Sequence, residues 1–197
     1  MFYDTASNAH GLRHDPMKAI VAPRPIGWIS TLSRDGVLNL APYSFFNMVA
    51  ENPPYVMFSS SGRKDSQRNA EETGEFVCSL AAYELREAMN TSSAGVGPEV
   101  DEFKLADLAT APSRLVGPPR VAAAPAALEC RYWKTVTPPS RSSQPYAMVI
   151  GEVVGVHIDD RFVVNGLVDT VAMRPIARMG YMDYSVVDGK FVMRRPG

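Results

Sequence analysis

Cysteine is scarce: Cys78 and Cys130 are the only two in 197 residues. They lie far apart, form no C-x-x-C, and each sits in a strand-like apolar run. That pattern favours two reduced, buried thiols over a disulfide. Charge of one sign is never massed. Twenty Lys and Arg against 21 Asp and Glu leave a net charge of -1, scattered along the chain, without the electrostatic footprint of a nucleic-acid binder. No apolar run reaches the roughly 20 residues that span a bilayer, so no membrane partner is expected. The N-terminal MFYDTASNAHGLRHDP lacks the apolar region of a secretory signal, and the expected location is cytoplasmic. The three histidines, His10, His14 and His157, have no metal-ligand spacing with Cys, Asp or Glu, so no metal is expected. G-x-S-x-G, H-E-x-x-H, G-x-x-x-x-G-K-[ST] and G-x-G-x-x-G are all missing. Neither a nucleophile elbow, a zinc protease site, a phosphate loop nor a Rossmann site is indicated, and no catalytic side chain is assigned.

Proline is plentiful instead. Its 16 residues cluster at PRP, NPP, GPP and TPP, which favours short strands over long helices. Hydrophobic residues make up 46% and charged residues 21%, an ordinary globular balance. No repeat or low-complexity linker divides the chain, so residues 1–197 are expected to form one domain. RPIGWISTLS, a turn at Ser33 to Gly36 and VLNLAPYS read as a β-hairpin. FFNMVAENPP reads as a loop or short helix, and YVMFSSS as a third strand. RKDSQRNAEETG predicts a helix capped by Asp65 or Ser66 and ended by Gly74. EFVCSLA is a fourth strand, and YELREAMNTSSAG and DEFKLADL hold short helices. Residues 109–127, rich in Ala and Pro, are expected to wander over the surface. AALECRYWKTVT and YAMVIGEVVGVHI complete the strands, with Gly151 and Gly155 marking bends. Asp159 and Asp160 read as a turn, and the segment from Arg161 onward is too apolar to be a loose end. About six strands in hairpin-like succession predict a small antiparallel barrel with helices packed outside.

Two polar interruptions could carry chemistry. In SSSGRKDSQRN a strand ends in Ser59, Ser60 and Ser61 and passes through Gly62 into a helix bearing Lys64, Ser66 and Arg68. Free N–H groups, hydroxyls and a lysine there suit a phosphate, although an ordinary helix start would read the same way. In NLAPYSFFN, Pro42 should break the pleat and leave main-chain groups unpaired. Those groups would meet either a planar heterocycle or the turn of a bulge at a barrel corner. Arg174 and Arg178 could pair with phosphate or with a carboxylate, and the methionines read as core or interface fillers.

The order PRPIGWIST, DGVLNLAPYSFFN, NPPYVMFSSSGRKDSQRN, ETGEFVCSL, MNTSSA resembles the flavin reductase-like family of FMN-binding split-barrel proteins. LECRYW, IGEVVGVHI and RPIARMGYMDYS continue the resemblance. It implies a mainly β fold with flanking helices: a six-stranded antiparallel Greek-key split β-barrel that binds FMN. An N-terminal arm (1–22) and a C-terminal extension (161–197) would pack on the barrel or on a partner subunit. It implies a homodimer with FMN near the interface, NADH or NADPH as electron donor, and free flavin or another small molecule as acceptor. A flavin carrier with little turnover of its own is the alternative. Carried over by resemblance, the cofactor-binding residues are Arg24 and Thr31, the loop residues Asn39, Ala41, Pro42, Tyr43, Ser44 and Phe45, then Ser59 and Ser60. Lys64, Asp65 and Ser66 fall at the phosphate end, and Met179 and Tyr181 return toward the cofactor. Read from its place at a strand end rather than from the resemblance, His157 is a candidate for binding nicotinamide or substrate, although a surface or packing histidine is the more ordinary reading.

Overall fold

The computed structural model describes all of residues 1–197. A short helix α1 (Met17–Ile20) leads into β1 (Arg24–Pro25) and β2 (Gly27–Leu32). Gly27 through Thr31 are all buried because both faces of β2 are covered. Trp28 packs outward with Ile26, Leu40, Met89 and Phe103. Ile29 packs inward with Tyr43, Phe58, Phe76 and Val149. Side chains alternate across a strand, so double burial demands apolar residues at successive positions. Where polar residues intrude they are bonded: Ser30 Oγ donates to the Pro119 carbonyl at 2.5 Å.

β3 (Leu38–Tyr43) returns antiparallel to β2, with Tyr43 opposite Gly27 and Asn39 opposite Thr31, as the hairpin reading expects. Then follow β4 (Phe46–Glu51), β5 (Pro54–Ser61), α2 (Asp65–Thr73) and β6 (Glu75–Leu80). Next come α3 (Arg86–Thr91), α4 (Glu102–Leu105), a small ribbon of β7 (Thr110–Ala111) with β8 (Arg120–Val121), and the long strands β9 (Ala126–Val136) and β10 (Tyr146–Ile158). The tail adds the hairpin β11 (Val163–Val164) and β12 (Leu167–Val168), α5 (Thr170–Met173), β13 (Ile176–Arg178) and β14 (Tyr184–Val186).

The principal sheet is antiparallel, ordered β3-β2-β6-β9-β10-β5-β4. Its two edges, β3 and β4, are consecutive in the chain and joined only by Ser44 and Phe45. Three Cα steps cover at most about 11 Å, so the sheet must curl until its edges nearly meet. The Ser59 N–H donates to the Phe45 carbonyl at 2.8 Å across that corner. The result is a barrel split between its first and last strands. Bulges beside Gly151 and Gly155 bend β10 as predicted.

Several expectations need correction. The sheet has seven strands, because Phe46–Glu51, expected as a loop or short helix, is edge strand β4. The pleat does not break at Pro42, which pairs in register with Trp28. The Leu40 N–H points away from β2, to Glu102 Oε2 at 3.0 Å. By the two-residue alternation Pro42 occupies the same outward position, so its missing N–H costs no ladder bond. Helix α2 starts at Lys64 without a side-chain cap, whereas Gly74 ends it in the left-handed region at φ 79° as expected. Residues 109–127 are not all superficial: Val121 and Ala124 belong to the outer core.

A three-stranded sheet, β1-β13-β14, fastens the tail to the start of the barrel and sets Arg178 directly opposite Arg24. No helix is long and apolar enough to cross a membrane.

Candidate functional site

The corner between the sheet edges opens into a cleft of about 510 Å³. One wall is the outward edge of β3 and its link to β4: Pro42, Tyr43, Ser44 and Phe45. Tyr43 stacks against Phe58, and Phe45 against Tyr146, with ring centroids 4.9 and 5.6 Å apart. Burial pushes the Tyr43 phenol upward, against the opposing effect of the Ser66 and Ser60 hydroxyls, so it stays protonated at neutral pH.

A second wall is the end of β5 and the start of α2, which supply Ser59, Ser60, Ser61 and Lys64. The Ser60 hydroxyl donates to the Gly62 carbonyl at 3.3 Å, and the Ser61 hydroxyl to that of Gln144 at 3.4 Å. Both contacts are long, so each hydroxyl proton can turn to a stronger acceptor. The Lys64 ammonium forms no ion pair.

A third wall comes from the arm and the tail: Lys18, Arg24, Arg178, Tyr181, Met182 and Tyr184. Arg24 is 7% exposed. Its guanidinium ties the arm to the tail by donating to the carbonyls of Lys18, Val21 and Met179, the last at 2.7 Å. Its Nε–H has no partner. Burial, reinforced by Arg178, holds its pKa below the ordinary arginine value. Gly180 lets the two ends close, because a Cβ there would fall 2.5 Å from Ala19 Cβ.

The remaining expected residues lie elsewhere. Asn39, Ala41, Asp65 and Ser66 line an adjoining pocket of about 360 Å³ on the far side of Pro42 and Tyr43. Ser66 Oγ donates to Asn39 Oδ1 at 2.7 Å, and Asp65 pairs with Arg68 at 2.5 Å. Thr31 is buried within the same network, accepting from Asn69 Nδ2 at 3.1 Å. Met179 contributes its carbonyl to Arg24 rather than a side chain to the cleft. His157 lines a separate pocket of about 450 Å³ with Arg114 and Arg120. Burial and those arginines lower its pKa, against Asp159 and Asp160.

Sequence reasoning missed Lys18, Asn90, Ser93, Tyr146, Met182 and Tyr184, all of which line the cleft. The forward signals were MNTSSA, which holds Asn90 and Ser93, and RPIARMGYMDYS, where Arg178 stood out and Tyr184 did not.

The arrangement can hold a flat, partly apolar molecule against Tyr43 and Phe45, with an anionic end toward Ser59–Ser61 and Lys64. No carboxylate lines the cleft. Four of its side chains are cationic.

A family model described as "Flavin reductase like domain" matches residues 18–170. An uncharacterized protein of Aquifex aeolicus is 38% identical over 167 residues, covering 82% of this chain and 83% of its own length. Nitrilotriacetate monooxygenase component B from Bacillus cereus superposes with a TM-score of 0.90 at 28% identity, covering 98% of each chain. A protein with a split barrel domain from Shewanella frigidimarina superposes with a TM-score of 0.80 at 21% identity, covering 99% and 94%. The mainly β architecture described above is a split barrel of this kind.

Proposed function

The chain belongs to the flavin reductase-like family, and from that premise we propose that it is an FMN-binding oxidoreductase. It takes reducing equivalents from NADH or NADPH and passes them to free flavin or another small acceptor. The observation that carries this reading is the cleft itself, which joins an aromatic and main-chain wall at Pro42–Phe45 to a hydroxyl and ammonium wall at Ser59–Lys64.

The donor set fits FMN. A phosphate monoester carries about −1.5 to −2 charge at neutral pH and accepts several hydrogen bonds. Ser59, Ser60 and Lys64 offer hydroxyl and ammonium donors, and no carboxylate among the lining residues repels it. The cleft volume of about 510 Å³ falls in the range of about 300–1,000 Å³ usual for such sites. When bound, the flavin supplies the hydride chemistry. The protein's residues bind and orient. Tyr43 and Phe45 offer apolar ring faces, and the β3–β4 link presents main-chain groups where a ring edge would lie. The protonated Tyr43 phenol contributes a donor but no base. The Bacillus cereus neighbour, named as a monooxygenase component, supports a redox role.

A homodimer with the cofactor near the interface belongs to the same reading. Edge strand β4 leaves Met48 and Val49 about half exposed, and Trp133 on β9 is 60% exposed, so apolar surface is available to a second copy. Light scattering coupled to gel filtration gives the oligomeric state directly.

The test is a fluorescence titration of FMN with the purified protein, then anaerobic mixing of the loaded protein with NADH and with NADPH. Quenching with saturable stoichiometry and rapid bleaching of the flavin absorbance are expected. A protein that binds no FMN sinks the proposal. Bleaching no faster than that of free FMN makes it a flavin carrier instead.

A further inference from the structure

Arg24 and Arg178 face each other in register across the β1–β13 ladder. Like charges directly opposite on neighbouring strands destabilise a sheet. Here no carboxylate relieves them, because neither arginine forms an ion pair, and nor do Lys18 and Lys64 in the same cleft. Arg24 is committed to backbone carbonyls and buried. Arg178 is held differently. Its Cζ lies 4.5 Å from the centre of the Tyr184 ring, and its Nη2 donates to the Tyr181 carbonyl at 2.5 Å. The stacked ring and two bonds from Nη2, the second to Met182 Sδ at 3.5 Å, fix the guanidinium plane while leaving the Nε and Nη1 N–H groups to the cleft.

The cations outnumber what one phosphate can balance. A monoester brings about two negative charges at most, whereas four cationic side chains line the cleft. They also sit on separate walls. Lys64 stands at the β5–α2 junction beside the serines, while Arg178 and Lys18 come from the tail and the arm. A phosphate at the serine wall leaves Arg178 and Lys18 without a counter-charge.

Resting on the flavin reading above, we propose that the second ligand of this cleft, the redox partner of the flavin, carries an anionic group that docks on Arg178, with Lys18 assisting. The shared chemistry is a carboxylate or phosphate matched to the planar fork of an arginine. Two sources can present it: the phosphates of a nicotinamide nucleotide, or the carboxylate of a small organic acid acting as acceptor. Arg178 is a binding and specificity residue for that ligand, not for the flavin.

The experiment compares wild type, Arg178→Gln and Lys18→Gln. FMN affinity is read by fluorescence quenching. Binding of NAD⁺, NADP⁺, benzoate and neutral benzamide to the flavin-loaded proteins is read by calorimetry. Arg178→Gln should weaken at least one of the anions tenfold or more, with FMN affinity within twofold and benzamide unchanged. Lys18→Gln, on an exposed side chain of α1, should weaken the same anion by a smaller factor and guards against misfolding of the arginine variant. A loss confined to the nucleotides assigns the site to the donor's phosphates, and a loss confined to benzoate assigns it to a carboxylate acceptor. Tenfold weaker FMN binding in Arg178→Gln, or anion affinities unchanged in both variants, overturns the inference while the flavin reading stands. Wild-type protein that binds no FMN overturns the flavin reading, and this inference with it.

Discussion

Asn39 and Glu102 are locked together beneath the cleft: Asn39 Nδ2 donates to Glu102 Oε1 at 3.0 Å. The same asparagine accepts from Ser66 Oγ at 2.7 Å, and the other Glu102 oxygen accepts the Leu40 N–H at 3.0 Å. One amide thus joins α4 to α2 across the edge of β3, and one carboxylate satisfies the outward edge that Pro42 continues. Burial raises the Glu102 pKa above its ordinary value near 4.5, against the hydrogen bonds from Leu40 and Asn39 and with help from the Asp65 carboxylate.

The pH dependence follows from that direction. A carboxyl whose folded pKa is raised contributes stability that is fully present below its unfolded pKa and is lost as pH rises through the folded one. The stability of wild type relative to Glu102→Gln should therefore fall as pH rises from about 4.5 through the elevated Glu102 value. Urea unfolding of both proteins across pH 4–8 measures the difference, and a flat or rising difference contradicts the burial assignment. Glu102→Ala strands the Asn39 amide and the Leu40 N–H. It should cost on the order of 1–3 kcal/mol for each donor left unsatisfied.

Gly151 makes a purely steric prediction. A Cβ there would lie 2.4 Å from Phe76 Cε1 and 2.9 Å from the Arg131 carbonyl oxygen. Phe76 is buried in the barrel interior, and the carbonyl belongs to neighbouring strand β9, so neither yields freely. Gly151→Ala should destabilise by about 1–3 kcal/mol through overpacking. Chemical denaturation tests this, and an unchanged midpoint would mean that the bulge relaxes without cost.

What the sequence revealed follows the range of the interactions involved. The hairpin turn at Ser33–Gly36, the Gly74 helix end and the bends at Gly151 and Gly155 are local, and each is visible in a few residues. Strand β4 was missed because it is an edge strand exposed beyond Phe46, so Asn47–Glu51 show no apolar alternation. Pro42 misled for a related reason. Which way its absent N–H would point depends on the β2 register, which composition does not reveal. In the cleft, the Ser59–Lys64 wall is contiguous in sequence and therefore legible. The Arg24, Arg178 and Tyr184 wall exists only because β1 pairs with β13 at the other end of the chain, and no local pattern announces that pairing.

Trp28 and Ser92 give a test of the outer core. The indole Nε1–H of the fully buried Trp28 donates to Ser92 Oγ at 2.9 Å, and Ser92 passes its own proton to the Met89 carbonyl at 2.8 Å. Ser92→Ala leaves the indole N–H buried and unpaired, a loss of about 1–3 kcal/mol. A clearly lowered thermal midpoint is expected, with Trp fluorescence shifted toward a changed environment. An unaltered midpoint would mean that the indole has found another acceptor.

Lys64 carries the sharpest functional prediction. Its backbone is fixed whatever its side chain, because its N–H donates to Gly62 and its carbonyl accepts from Arg68, at 3.0 and 2.9 Å. Lys64→Ala therefore removes an ammonium from the cleft and leaves the start of α2 in place. Hydrogen bonds to charged groups contribute about 1.5–3 kcal/mol, and exposure of this side chain favours the lower end. FMN affinity should fall roughly tenfold, by the conversion of about 1.4 kcal/mol per decade. The loss should shrink as salt is raised, since screening weakens an exposed charge pair. Fluorescence titrations at low and high ionic strength supply both readings. An unchanged dissociation constant would remove Lys64 from the phosphate wall and leave the serines to hold it alone.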